Sequence, residues 1–148
     1  MFDVILLAVD GSRQTKFVVD LSRQLARGHN STVYVTCCID ESYALEENGD
    51  TPGEVTDYPP AEEEQNTARA VVGQALKTLA QAGIQAKGNI IVGNAGEALV
   101  AEAVKRQASV IVMGHRQLSA FGRIMKGSVS AEVIARSPCP VMVEVRGN

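Results

Sequence analysis

No phosphate loop of the GxxxxGK[ST] kind occurs in this chain of 148 residues, because Lys126 precedes Gly127 instead of following it. The dinucleotide fingerprint GxGxxG is also missing after the first apolar run, where Asp10-Gly11-Ser12-Arg13-Gln14-Thr15 stands. No serine sits in a GxSxG elbow, and His115 has no base–orienter partner in sequence, so no catalytic residue is assigned. Cysteine is scarce: Cys37, Cys38 and Cys139 make an odd number without metal-ligand spacing, and His29 and His115 do not complete a metal site. Buried thiols in a reduced, cytoplasmic compartment are the expectation. The amino terminus lacks a basic start followed by a long apolar stretch, since Asp3 and Asp10 bracket a run too short for a signal or a membrane span. An excess of positive charge is absent too. Lys plus Arg is 14 against 17 for Asp plus Glu, a net charge of -3 that argues against broad nucleic-acid or acidic-membrane binding.

What is present is a regular alternation of strand and helix. Apolar residues make up 45% of the chain, and its length suits one domain, residues 1–148, with a sizeable core. Val4 to Val9 is a continuous β-branched-rich run, as expected of a central parallel strand covered on both faces. It stops at Asp10-Gly11-Ser12, where Ser12 is placed to cap a helix carrying Phe17, Val18, Leu21 and Leu25. Gly28 and Asn30 end that helix, and Thr32 to Ile39 forms a second strand that breaks at Asp40. Asp10 and Asp40 therefore both follow the carboxyl ends of parallel strands, the edge where open sheets take ligands. From Glu41 to Pro60 periodicity is lost among glycines, prolines and acids, which reads as a long mobile loop at the same edge.

Helical spacing returns near Ala61, with Ala68, Val71, Val72, Ala75, Leu76 and Leu79 as a buried stripe closed by Gly83. Ile84 to Val92 reads as a third strand, although Gly88 and Asn89 weaken it. Asn94 and Glu97 form a capping box for a helix that turns Leu99, Val100, Ala103 and Val104 inward. Gly93 and Gly96 flank the box and serve the tight strand-to-helix turn. Val110 to Met113 is the fourth strand. The last helix, about Val129 to Arg136, buries Val133 and Ile134, and Ser137-Pro138-Cys139-Pro140 breaks it before the final strand, Val141 to Val145. In that strand Met142 and Glu144 mark a less buried face. An edge strand of this kind needs a cover, which a two-fold mate would supply.

The stretch with most chemistry runs from Ser109 to Ser130. Its strand ends at Gly114, a loop carries Arg116 and Arg123, and Lys126-Gly127-Ser128 leads into a helix start. Glycines allow close backbone approach, and the first-turn N–H groups of a helix lack intrahelical partners, so the pattern suits an anion. The same residues also serve a plain strand end and helix cap, and spacing alone does not choose between these roles.

Taken together, Asp10-Gly11-Ser12, Cys38-Ile39-Asp40, Val92-Gly93, Met113-Gly114-His115, Gly127-Ser128 and Ser137-Pro138-Cys139-Pro140-Val141 resemble a small universal stress protein over essentially the whole chain. The resemblance implies an open five-stranded parallel sheet of order 3-2-1-4-5 with helices on both faces, a Rossmann-like α/β fold. The family's nucleotide-binding branch carries G-x-x-G, nine residues, then G-[ST]. Gly114 and Gly127-Ser128 keep their places at the right spacing, while Gln117 replaces the middle glycine. The likeness implies a nucleotide site for ATP, or for ADP or AMP. Ala8, Val9 and Asp10 lie against the nucleoside, with Asp10 near the ribose and near any magnesium ion that the nucleotide carries. Cys38 neighbours the adenine. Met113, Gly114, His115, Arg116 and Gln117 form the first half of the phosphate-and-ribose loop, and Gly127, Ser128, Val129 and Ser130 the second. A homodimer through residues 141–145 is implied as well. Three functions stand side by side at this level: a nucleotide-binding regulator or stress-response protein, a member acting on an unidentified protein partner without nucleotide, and a weak ATP hydrolase.

Overall fold

In the computed structural model, which describes residues 2–40, 59–115 and 129–147, five parallel strands form one sheet in the order β3-β2-β1-β4-β5. The elements follow the chain as β1 (Val4–Ala8), α1 (Thr15–Ala26), β2 (Thr32–Asp40), α2 (Pro59–Gln81), β3 (Gln85–Gly93), α3 (Ala95–Arg106), β4 (Val110–Gly114), α4 (Val129–Arg136) and β5 (Val141–Glu144). β1 sits in the middle, with Val4 opposite Thr32 of β2 and Ile5 opposite Val110 of β4. This is the fold and the strand order that the resemblance implied.

The period of two along each strand sorts the core into two layers. Ile5, Leu7 and Val9, with Val33, Val35, Cys37, Val110 and Val112, face α1 and α2, where Val18, Val19, Ala68, Val72 and Leu79 meet them. Leu6, Ala8, Cys38, Ile111 and Met113 face α3 and α4, against Leu99, Ala103, Val129 and Val133. Strands buried on both faces read as continuous apolar runs, which explains the absence of alternation in Val4 to Val9.

Strand ends fall within a residue of expectation. Val9 lies just beyond β1, and its N–H still reaches Thr36 O at 2.9 Å. Gly88 and Asn89, which weakened the reading of β3, turn out to be packing features of an edge strand. A Cβ on Gly88 would stand 2.6 Å from Val72 Cγ1, so the glycine lets α2 lie close. Asn89 Nδ2 donates to the buried Glu102, which also accepts from Arg106 Nε at 2.9 Å, while the Arg106 guanidinium stacks over Tyr34 at 4.6 Å.

Several expectations are corrected. α2 begins at Pro59, so Pro59 and Pro60 belong to the helix and not to the preceding loop; proline suits a first turn whose N–H groups lack partners anyway. The rest of the expected mobile loop, 41–58, lies outside the described residues. Ser12 does not cap α1. Gln14 holds the cap position without a side-chain capping bond, and Ser12 Oγ accepts from Gln14 N–H at 3.3 Å within the turn. Gly28 takes the left-handed conformation at φ 77°, whereas Asn30 does not. Val104 and Ile134 are exposed at 59% and 57%, because each lies one residue, about 100° of helix rotation, past the inward Ala103 and Val133. β5 stops at Glu144, leaving Val145 outside it and exposed. Glu144 is itself buried, and Met142 packs on the α1/α2 layer while Val141 and Val143 pack on the other. Both faces of β5 are thus partly covered.

Candidate functional site

The strand order reverses between β1 and β4, and a crevice at that switch point is where open α/β sheets take ligands. β1 delivers Asp10 there. Its Oδ1 accepts from Ser12 N–H at 3.0 Å and from Thr15 Oγ1 at 3.2 Å, so the buried carboxylate organises the turn and sits at the positive end of α1. Gly11 follows at φ 78°, and a Cβ on it would lie 3.0 Å from Val71 Cγ2. Only glycine meets both conditions without displacing α2.

β4 delivers Gly114 and His115. A Cβ on Gly114 would fall 2.6 Å from Gln14 Oε1 and 3.2 Å from its Cδ. Gln14 cannot easily yield, because its Nε2 donates to Glu144 O at 2.8 Å and to Arg146 O at 3.1 Å. One buried amide therefore ties the start of α1, the end of β4 and the segment after β5 together. Sequence reasoning missed Gln14; a glutamine beside a helix start carries no signal that distinguishes it from a solvated polar residue.

His115 N–H donates to Glu144 O at 2.9 Å, and its carbonyl accepts from Ser130 Oγ at 3.2 Å. The second bond joins the end of β4 to the start of α4. It closes the two ends of the segment that holds Arg116, Gln117, Gly127 and Ser128, four predicted site residues outside the described ones. Cys38 Sγ donates to Gly93 O at 3.7 Å, next to the turn where Gly93 hands the chain to the Asn94 cap. Asn94 Oδ1 accepts from Glu97 N–H at 3.3 Å, while the Glu97 carboxylate lies 3.7 Å from Arg136. Gly96 corrects its predicted role. It stands in the first turn of α3, where a Cβ would run into Glu132 of α4, so it serves helix–helix approach and not the strand-to-helix turn.

Ala8, Val9, Asp10, Cys38, Met113, Gly114, His115, Val129 and Ser130 thus gather at one end of the sheet. They do not share one face. Ala8, Cys38, Met113 and Val129 belong to the α3/α4 layer, while the Val9 side chain belongs to the opposite one. Val9 can meet a ligand on the α3/α4 side only through its backbone. The neighbouring Cys37 is no nucleophile. Burial, reinforced by the charges of Asp10 and Glu64, pushes its thiol up to about 12. Among the described residues there is no group of three or more His, Cys, Asp or Glu able to hold a metal ion, and no helix long and apolar enough to cross a membrane.

Fold and strand order define a Rossmann-like α/β protein. The universal stress protein family model matches residues 1–146, and the chain belongs to that family. A relative from Thermus aquaticus, the universal stress protein in the QAH/OAS sulfhydrylase 3' region, is 31% identical over 144 residues, covering 97% of this chain and 98% of its own. The solved hypothetical protein MJ0577 superposes with a TM-score of 0.80 at 24% identity, covering 99% of this chain and 97% of the other. A universal stress protein solved in complex with cAMP gives 0.68 at 21% identity, with 97% of each chain covered. The universal stress protein from Archaeoglobus fulgidus in complex with dAMP gives 0.64 at 22%, covering 97% of this chain and 98% of the other. At these identities the solved structures speak for the fold alone.

Proposed function

We propose that this protein is a cytoplasmic regulatory or stress-response protein that binds an adenine nucleotide at the carboxyl edge of its sheet. The observation that carries the reading is the Ser130–His115 bond, which brings both ends of the basic, glycine-bearing segment 116–128 to the switch point beside Asp10. Relatives of the same fold solved with cAMP and dAMP make an adenine nucleotide the natural ligand class. The donor chemistry fits. A carboxylate such as Asp10 repels phosphate but accepts from ribose hydroxyls, so the nucleoside belongs near Ala8, Val9, Asp10 and Cys38. The phosphates of ATP, ADP or AMP then belong beyond Gly114, His115, Arg116 and Gln117, toward Gly127, Ser128, Val129 and Ser130, at the positive end of α4. A magnesium ion would arrive with the nucleotide, its charge balancing the phosphates near Asp10. No described residue is placed as base or in-line nucleophile, so the reading is binding and not turnover.

Gln117 favours a second reading. It stands where the family's nucleotide-binding pattern has glycine, and a side chain there crowds the approach of backbone to phosphate. On that reading the protein acts through protein contacts without nucleotide. Extracting protein purified without added ligand and chromatographing the extract separates the two. Stoichiometric adenine nucleotide supports the first, and its absence together with no ATP binding on titration supports the second. The proposal includes a homodimer through residues 141–145. β5 is an edge strand with Val141 and Val143 half-buried in the monomer and Val145 62% exposed beside it. Light scattering at micromolar protein should give twice the chain mass, and a monomer there would rule the dimer out.

A further inference from the structure

A concavity lies on the α1/α2 face, lined by the Gly11-Ser12 turn, the start of α1, the middle of α2 and Gly147, with a volume of about 850 Å³. That volume is within the usual range for small-molecule sites. Its apolar surface comes from Phe17 and Val19 on one side and Val71 and Ala75 on the other. Phe17 and Val71 are only half-buried, so part of this surface is uncovered.

The charge around it has one sign. Arg13 and Lys16 line the groove, no acidic residue among the described ones does, Asp10 lies buried behind the lining residues Ser12 and Thr15, and neither cation makes an ion pair with a described residue. Lys16 Nζ lies 5.1 Å from the centroid of the Phe17 ring, at the boundary of apolar and charged surface. Arg146 is also near that ring but is committed to Glu144 at 2.7 Å. Two exposed cations three residues apart at the positive end of a helix favour an anion, and the apolar walls favour a hydrocarbon body. A polyphosphate is a poor match, since half of such a ligand would face Phe17, Val19 and Val71 without donors.

We propose that this groove binds an amphipathic monoanion, a fatty carboxylate, with its acyl chain along Phe17, Val19 and Val71 and its carboxylate at Arg13 and Lys16. The groove shares the Gly11-Ser12 turn with the nucleotide edge, but its ligand is held by Arg13, Lys16 and the apolar wall, so the proposal does not depend on the nucleotide reading.

Decanoate, decanol and decyltrimethylammonium form the test series, followed by calorimetry and by amide chemical shifts on the full chain. Decanoate should bind tighter than decanol by roughly tenfold or more, the scale of a charge-assisted hydrogen bond, and decyltrimethylammonium should not bind. Shifts should centre on Phe17, Val19 and Val71. The double variant Arg13→Gln/Lys16→Gln should lower decanoate to the affinity of decanol and leave decanol unchanged. Ala70→Trp, at an exposed α2 position on the groove wall, should abolish binding of both with an unchanged melting curve. Equal binding of decanoate and decyltrimethylammonium, shifts away from α1 and α2, or no binding by the folded wild type would each overturn the proposal. ATP affinity of Ala70→Trp should equal that of wild type, and zero ATP affinity in both would refute the nucleotide reading while leaving this one standing.

Discussion

The two ends of the sheet use the same residue for different reasons. At the amino end, Gly28 and Gly83 adopt φ 77° and 76° to end α1 and α2, and a Cβ on either would meet nothing within 4 Å. They are there for their backbone conformation. At the carboxyl end space is restricted as well, and Gly11 and Gly147 meet that restriction at φ 78° and 77°. A Cβ on Gly114 would enter the Gln14 amide, and one on Gly147 would come 2.6 Å from the Phe17 ring. The Gly28 and Gly83 turns of the amino end should therefore tolerate a change one at a time. The carboxyl end is one interlocked unit, with Asp10, Gln14, Gly114, His115, Ser130 and the segment after β5 sharing partners.

The largest expected effect tests that interlock. Gly114→Ala should destabilise the fold by about 2–3 kcal/mol, because the new methyl must displace the Gln14 amide from one buried and one part-buried bond. Chemical denaturation of Gly114→Ala, Gln14→Ala and the double variant checks it. The double variant should cost clearly less than the sum of the singles, since one change removes what the other strains. Strict additivity would show that the two residues act separately.

A smaller effect is expected with pH. The hydrogen-bonded guanidinium of Arg146 holds the Glu144 carboxyl below its ordinary 4.5 and outweighs the opposing effect of burial. A carboxyl whose pKa is lowered by folding gives stability that is present above its ordinary value and lost as pH falls through the lowered one. The segment 144–147 should stay docked at neutral pH and loosen as pH falls below the ordinary carboxyl value, seen as rising amide exchange at Arg146 and Gly147 before global unfolding. Exchange there that is flat down to the global transition would contradict the pairing.

The smallest effect belongs at the amino end. Gly28→Ala should cost about 1 kcal/mol through the left-handed conformation alone, and Gly28→Asn only a few tenths. A larger loss for Asn would mean that the turn is crowded after all and that the contrast between the two ends fails.

Four strands were legible in the sequence as apolar, largely β-branched runs, β3 less so because Gly88 and Asn89 interrupt it, and the position of the edge was legible from Asp10-Gly11 and Gly114. Side-chain allocation was harder. Val104 and Ile134 are as apolar as their inward neighbours, and only the rotation of two short helices against the sheet decides which residue faces in. Gly96 could not be told from a turn glycine, because its reason is Glu132, thirty-six positions away on another helix. Gln14 was invisible for the same cause: both its acceptors lie 130 or more positions along the chain. The proposals of a nucleotide and of a dimer come from the resemblance to the family and not from spacing.

The central claim is that this interlocked end holds an adenine nucleotide, and calorimetric titration with ATP and magnesium tests it most directly. Wild type should bind with one nucleotide per chain, and Ser128→Ala should weaken binding by about 1.5–3 kcal/mol, the scale of a hydrogen bond to a charged group. Gly127→Val should weaken it more, by placing a branched side chain where backbone must approach phosphate. Gln117→Gly should tighten binding if the glutamine crowds the site and weaken it if the amide is a phosphate ligand. Absence of heat from wild type and all three variants, each shown to be folded, at millimolar ATP would contradict the claim.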